Sequence, residues 1–305
     1  MIDFNRRKFL KATTVLMVAP FIPASFEIRK HKPLLSFSTL GCPDWSFKKI
    51  TEFAVQHNYT GIELRGLLRE MDLTKCPEFS TPQNIAATLS LMKDKNLAFV
   101  DLGSSTKLNI ANSIERKKNL DEAKRFIELA QKIHCPFVRV FPNELPKDQD
   151  KNATMDLIIK GLQELGDYAK GSNVSVLMET HGDLVWTKDI ETIMQSAFNA
   201  HTGLVWDVTN MWSITKEPPI AVYQKLKKYI RHTHIKDLEM IDGKEHYTLP
   251  GEGEVPIFTA VDAMRNGGYK GYYSFEWEKL WHPEIAEPEI VLADYSKVML
   301  QHFNK

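Results

Sequence analysis

Residues 231–239 read RHTHIKDLE and set His232, His234 and Lys236 two residues apart. In an extended strand that spacing points all three side chains to one face. Three acidic residues stand in comparable places: Glu179 in LMETHG, Asp207 in LVWDVTN and Glu276 in YSFEWE, each closing an otherwise apolar run. With His234 they form an oxygen-rich, net-anionic donor set suited to one divalent cation such as Mn2+, Mg2+, Co2+ or Zn2+. Without a cation, three crowded carboxylates repel and raise one another's pKa. A cation beside carboxylates is also what proton removal next to a carbonyl needs, because the enediolate must be stabilised at its oxygen. Each residue alone has a structural account as well: Glu179 or Glu276 as a helix cap, Asp207 as an Asx-turn residue, His234 as a hydrogen-bonded core histidine.

Placing these groups together requires strands that end side by side. Eight short β-rich runs can be read, at 35–41, 61–65, 97–103, 137–143, 174–182, 202–210, 231–237 and 271–278. Between them the apolar period changes to that of helices, over 46–57, 81–96, 115–134, 152–170, 187–199, 219–229, 256–267 and 286–303. The clearest is 115–134, where Leu120, Ala123, Phe126, Ile127 and Ala130 form one stripe. Eight strand–helix units predict an α/β fold, a single closed (β/α)8 TIM barrel, with its chemistry at the C-terminal strand ends. No G-x-G-x-x-G follows the first strand, where LGCPDWSF stands instead, so a dinucleotide-binding sheet is disfavoured. The four donors then fall on strands five to eight, one apiece, and can converge above the barrel.

Composition narrows the partners. The chain has 305 residues, 26% charged and formally neutral. Arg6, Arg7, Lys8 and Lys11 against Asp3 give +3 in the first 26 residues and leave −3 for the remainder. An acidic body argues against nucleic acid. Residues 1–26 have the layout of a signal peptide, and the paired arginines resemble a twin-arginine signal with Asn5 where Ser or Thr is usual. The apolar run that follows is shorter than the ~20 residues of a spanning helix. The expectation is export to the periplasm, no stable membrane anchor after cleavage, and a mature domain over 27–305. Cys42, Cys76 and Cys135 show no metal-like spacing and read as core or free thiols.

STLGCPDWSFKKI, YTGIELR, METHGD, LVWDVTN, HIKD followed by PGEGEVP, and the glutamate of YSFEWE resemble the xylose-isomerase-like TIM-barrel superfamily, the sugar phosphate isomerases/epimerases. The likeness runs from about residue 35 to 303. It implies one divalent metal held by Glu179, Asp207, His234 and Glu276, with the two glutamates as an acid/base pair. Asn210 departs from the pattern, since a histidine often stands three residues after the strand-six aspartate. That departure and the acidic body count against the DNA-repair branch.

Around these groups, Lys236 is a further catalytic candidate, or else the partner of Asp237 or Glu63. Glu63, Arg65, His181, Asn210, His246 and Trp277 are expected to contact substrate, with Glu63 and Arg65 as an ion pair on one wall. Arg139 reads as inward-facing, paired or aimed at substrate. Segment 245–256 is expected to form a loop over the site. An exported enzyme meets free sugars rather than phosphorylated ones, so the first reading is an isomerase or epimerase of a non-phosphorylated sugar or keto-sugar. Elimination on a 3-keto-glycoside is the alternative, and a non-catalytic sugar-binding barrel the alternative of another class. A small carbohydrate is the expected partner, and a homo-oligomer stays open.

Overall fold

The β-rich runs close on one another in a ring. In the computed structural model, which describes residues 32–305, eight parallel strands form the barrel: Leu35–Ser38 (β1), Gly61–Leu64 (β2), Ala98–Lys107 (β3), Phe137–Phe141 (β4), Ser175–Glu179 (β5), Thr202–Asp207 (β6), Ile230–Ile235 (β7) and Tyr273–Phe275 (β10). The hydrogen-bonded order is β1-β10-β7-β6-β5-β4-β3-β2, so no strand edge is left open. The expected (β/α)8 architecture is therefore the observed one. The signal expected over 1–26 lies outside the described residues.

Helices cover the ring: Phe47–Gln56 (α1), Pro82–Asp94 (α2), Ser113–Lys132 (α3), Lys151–Tyr168 (α4), Thr187–Ala197 (α5), Val208–Thr215 (α6), Pro219–Leu226 (α7), Ile257–Asn266 (α8) and Pro288–Asn304 (α9). Side chains of Ser46, Thr81, Asn112 and Asp150 accept first-turn N–H groups of α1 to α4, which fixes where these helices begin. The α3 stripe buries Leu120, Ala123, Phe126, Ile127 and Ala130 as its period requires.

Several strand ends differ from the sequence reading, β1 stopping at Ser38, β3 running to Lys107, β5 stopping at Glu179 and β10 at Phe275, and two differences change the elements themselves. Residues 237–248 form an antiparallel hairpin, Asp237–Ile241 (β8) with Lys244–Thr248 (β9), so the expected loop over 245–256 begins as a strand. The sixth strand stops at Asp207 instead of Asn210, and α6 starts at once.

Alternation along the strands sorts residues into two layers. Outward, Phe275 stacks on Tyr295 of α9 at 4.5 Å, and Trp206 stacks on Tyr223 of α7 at 5.9 Å. Inward, the usual layers of branched apolar side chains are replaced in part by buried Ser36, Ser38, Glu63, Asp101, Arg139, Glu179, His232, His234 and Ser274. Burying such groups costs about 1–3 kcal/mol each when they are left unpaired.

Candidate active site

Each donor owes its place to a strand end. Glu179 closes β5, Asp207 closes β6, His234 lies near the end of β7, and Glu276 follows β10 directly. Register pairs Asp207 with His234 across β6 and β7, and His234 with Ser274 across β7 and β10. One ligand atom from each of Glu179, Asp207, His234 and Glu276 falls within a set no more than 4.8 Å across, and all four residues are buried.

His234 occupies the centre. Its Nδ1 lies 2.8 Å from Glu179 Oε1 and 3.4 Å from Glu276 Oε1, while its Nε2 lies 3.0 Å from Glu63 Oε2. The Lys236 ammonium donates to Asp207 Oδ2 at 2.6 Å and to Glu276 Oε2 at 2.9 Å, and lies 2.9 Å from Glu278 Oε1. Glu179 Oε2 has no hydrogen-bonded partner and lies 3.1 Å from Arg139 Nε. A divalent cation fits this set: three carboxylates and an imidazole converge, Glu179 Oε2 accepts no hydrogen bond, and the single Lys236 ammonium shared by Asp207 and Glu276 offsets only one of the three carboxylate charges.

Electrostatics follow from crowding and burial. Burial pushes the Asp207 carboxyl up, and despite Lys236 the nearby Glu276 and Glu179 help hold it at about 7. Burial opposes charge on His234, but Glu276, Glu63 and Glu179 outweigh it and raise the imidazole well above its ordinary value. Burial likewise raises Glu276, yet His234 and Lys236 prevail and keep it ionised.

Asp207 also fills the structural role available to it, since its Oδ1 accepts the Asn210 N–H at 2.7 Å and caps α6. One oxygen starts a helix and the other faces the cluster.

The remaining candidates divide. Arg65 and His181 line the mouth pocket together with Leu40, Arg139, Phe141, Glu179, Glu276, Glu278 and Trp281. Glu63 sits deeper, fully buried, accepting at Oε2 from His232 at 2.9 Å and from Ser274 at 3.1 Å as well as facing His234. The expected Glu63–Arg65 ion pair does not form: Glu63 turns to the two histidines across the barrel, and Arg65 bonds Ser105 Oγ. Lys236 pairs with neither Asp237 nor Glu63. Asp237 instead collects the backbone N–H groups of Leu238, Gly251, Gly253 and Val255.

Trp277 points away from the pocket, because the alternation that sends Glu276 inward sends its neighbour outward. It stacks on Phe275 and donates Nε1–H to Ala286 O at 2.9 Å. His246 is exposed on β9, opposite Glu239, and Asn210 sits half-buried in the first turn of α6; neither lines the pocket. Glu278 was not anticipated, although its spacing of two from Glu276 is the same signal that marked Lys236 after His234.

The mouth pocket is small, about 50 Å³. A concavity of about 520 Å³ lies at the opposite, N-terminal strand ends, lined by Phe99, Phe137, Tyr269 and Tyr272 among others, but none of the four donors reaches it. Glu179 and Glu276 line the smaller one.

The fold is a closed parallel barrel whose C-terminal rim gathers carboxylates and an imidazole that could hold a metal ion. The chain belongs to the xylose isomerase-like TIM barrel family, whose model matches residues 51–294. It is 28% identical over 153 residues to an inosose dehydratase of Geobacillus thermodenitrificans, covering 44% of this chain and 49% of that protein. It is 23% identical over 226 residues to a 3-dehydroshikimate dehydratase of Bacillus anthracis, covering 71% of this chain and 78% of that protein. The chain spans about half the length of the curated inosose dehydratases it matches. Among solved structures, the IolI protein with a bound zinc atom has the same fold, with a TM-score of 0.73 at 19% identity, over 88% of this chain and 97% of that one.

Proposed function

We propose that this chain is a divalent-metal-dependent isomerase or epimerase that removes a proton next to the carbonyl of a small non-phosphorylated sugar or keto-sugar and returns a proton to the enediolate. One observation carries the reading: of the four donors, only Glu179 and Glu276 also line the mouth pocket. They descend from β5 and β10, with β6 and β7 between them, and so flank a guest from two sides. Held at Glu179, Asp207, His234 and Glu276, a divalent cation would supply Lewis-acid stabilisation of the developing oxyanion. Glu276 is kept ionised by His234 and Lys236, the state a base requires. One glutamate takes the carbon-bound proton and the other delivers one to the opposite face.

A second reading is elimination, by loss of water or of the glycosidic oxygen of a 3-keto-glycoside. It is supported by two relatives named as dehydratases. A sugar-binding barrel without turnover would make no use of the paired glutamates. Residues 1–26 support export by their charge and apolar pattern; cell fractionation tests this, and retention in the cytoplasm would refute it.

Turnover in D2O separates the reactions. Isomerisation or epimerisation leaves deuterium in a rearranged sugar, whereas elimination yields an unsaturated product and water or a free aglycone. Glu276→Gln should keep the fold and lose turnover by about a hundredfold or more. Full activity in that variant would remove the acid/base assignment.

A further inference from the structure

Arg65 follows β2 and Arg139 lies in β4, with β3 between them. The β3 residue in register with Arg139 is Gly103. A Cβ there would stand 2.6 Å from Arg65 Cδ and 2.8 Å from Arg139 Nη2, so the missing side chain is what lets two long cations lie side by side.

Both arginines are buried, at 6% and 1% exposure. Only Arg139 is compensated: its Nε faces Glu179 Oε2 at 3.1 Å and its Nη1 donates to Ser104 O at 3.0 Å. Arg65 donates from Nη2 to Ser105 Oγ at 3.1 Å, and its Nη1 has no partner. Among the described residues, no carboxylate lies within ion-pair distance of it. Burial, and after it the charge of Arg139, lowers Arg65 to about 9. A buried cation lacking its counterion is expensive, yet this one borders the pocket that holds Glu179 and Glu276.

We propose that the counterion arrives with the substrate: Arg65 receives a carboxylate, so the site takes a sugar acid or another polyhydroxy keto acid. The guanidinium fork matches a carboxylate in shape. A dianionic phosphate fits less well, because Glu179, Glu276 and Glu278 border the same pocket and Arg139 is already neutralised. The inference rests on the reading of the mouth pocket as the substrate site.

Calorimetric titration of the metal-loaded full chain tests it with matched acid and neutral probes: D-glucuronate against D-glucose, D-galacturonate against D-galactose, and quinate against myo-inositol. The acid of at least one pair should bind about tenfold or more tightly than its neutral partner, and the preference should fade with salt. Arg65→Gln should abolish the preference while Arg65→Lys keeps part of it, with circular dichroism and metal stoichiometry reporting that both variants fold and load. Equal binding of acid and neutral probes, no acid binding at all, or a preference surviving in Arg65→Gln would each overturn the proposal. Acid binding through Arg65 with no proton exchange in D2O would instead overturn the proton-abstraction reading alone; turnover of a neutral sugar without acid preference would do the reverse.

Discussion

Glu63 shows how one residue serves a site it does not line. Its Oε2 gathers His232, His234 and Ser274, and so orients the His234 ring with Nδ1 toward Glu179 and Glu276. A ligating imidazole held by a carboxylate on its far nitrogen is fixed in both tautomer and direction. Glu63→Gln should therefore weaken metal affinity by about 10–100-fold, measured by competition against a chelator. Unchanged affinity would mean that the ring is positioned by packing alone. The sequence marked Glu63 as a polar strand end, but a strand end does not reveal depth. Depth here depends on histidines that lie 169 and 171 positions away in the chain.

Elements explain what could and could not be read beforehand. The four donors were legible because each stands at or just past the last inward position of its strand, the three acids after otherwise apolar runs. Alternation alone also held the correct placement of Trp277, one residue from Glu276 and thus on the other face. The hairpin carries its own sequence signal: Asp242-Gly243 both take left-handed backbone, with φ of 51° and 74°, the signature of a tight turn between antiparallel strands. β9 is mostly exposed, and a ribbon facing water needs no apolar stripe. Helix α6 was hidden by the β-branched Val208 and Thr209, whose preference for strands is overridden once Asp207 caps the turn. Asp237 anchors the connection that follows, at 2.9, 2.8, 3.1 and 3.3 Å from the N–H groups of Leu238, Gly251, Gly253 and Val255. Asp237→Ala should cost about 2 kcal/mol or more by leaving several donors unpaired, read from urea unfolding. A loss near zero would show that water replaces the carboxylate.

At the scale of the whole molecule, charge at the site links stability to pH. Asp207 and His234 both have folded-state values above their ordinary ones, Asp207 at about 7. Groups of that kind lend stability to the metal-free protein below their unfolded values, and the contribution is lost as pH rises through the folded ones. A cation held by Glu179, Asp207, His234 and Glu276 would replace the lost positive charge and require His234 to be neutral. The rise in melting temperature on adding metal should therefore be larger at pH 8 than at pH 5.5. Calorimetry giving the same rise at both values would break the link.

The distribution of thiols offers a separate view of the same ring. Cys42, Cys76 and Cys135 are free and buried, and burial pushes Cys76 up to about 12, so none reacts readily while the barrel is closed. All three precede β4, whereas every donor lies on or just after β5, β6, β7 or β10. A thiol-reactive dye thus acts as a clock for the half of the barrel that carries none of the four donors. Because β10 closes on β1 and β5 on β4, metal should slow labelling of all three cysteines in the same proportion. Slowing at none of them would mean that the two halves open independently.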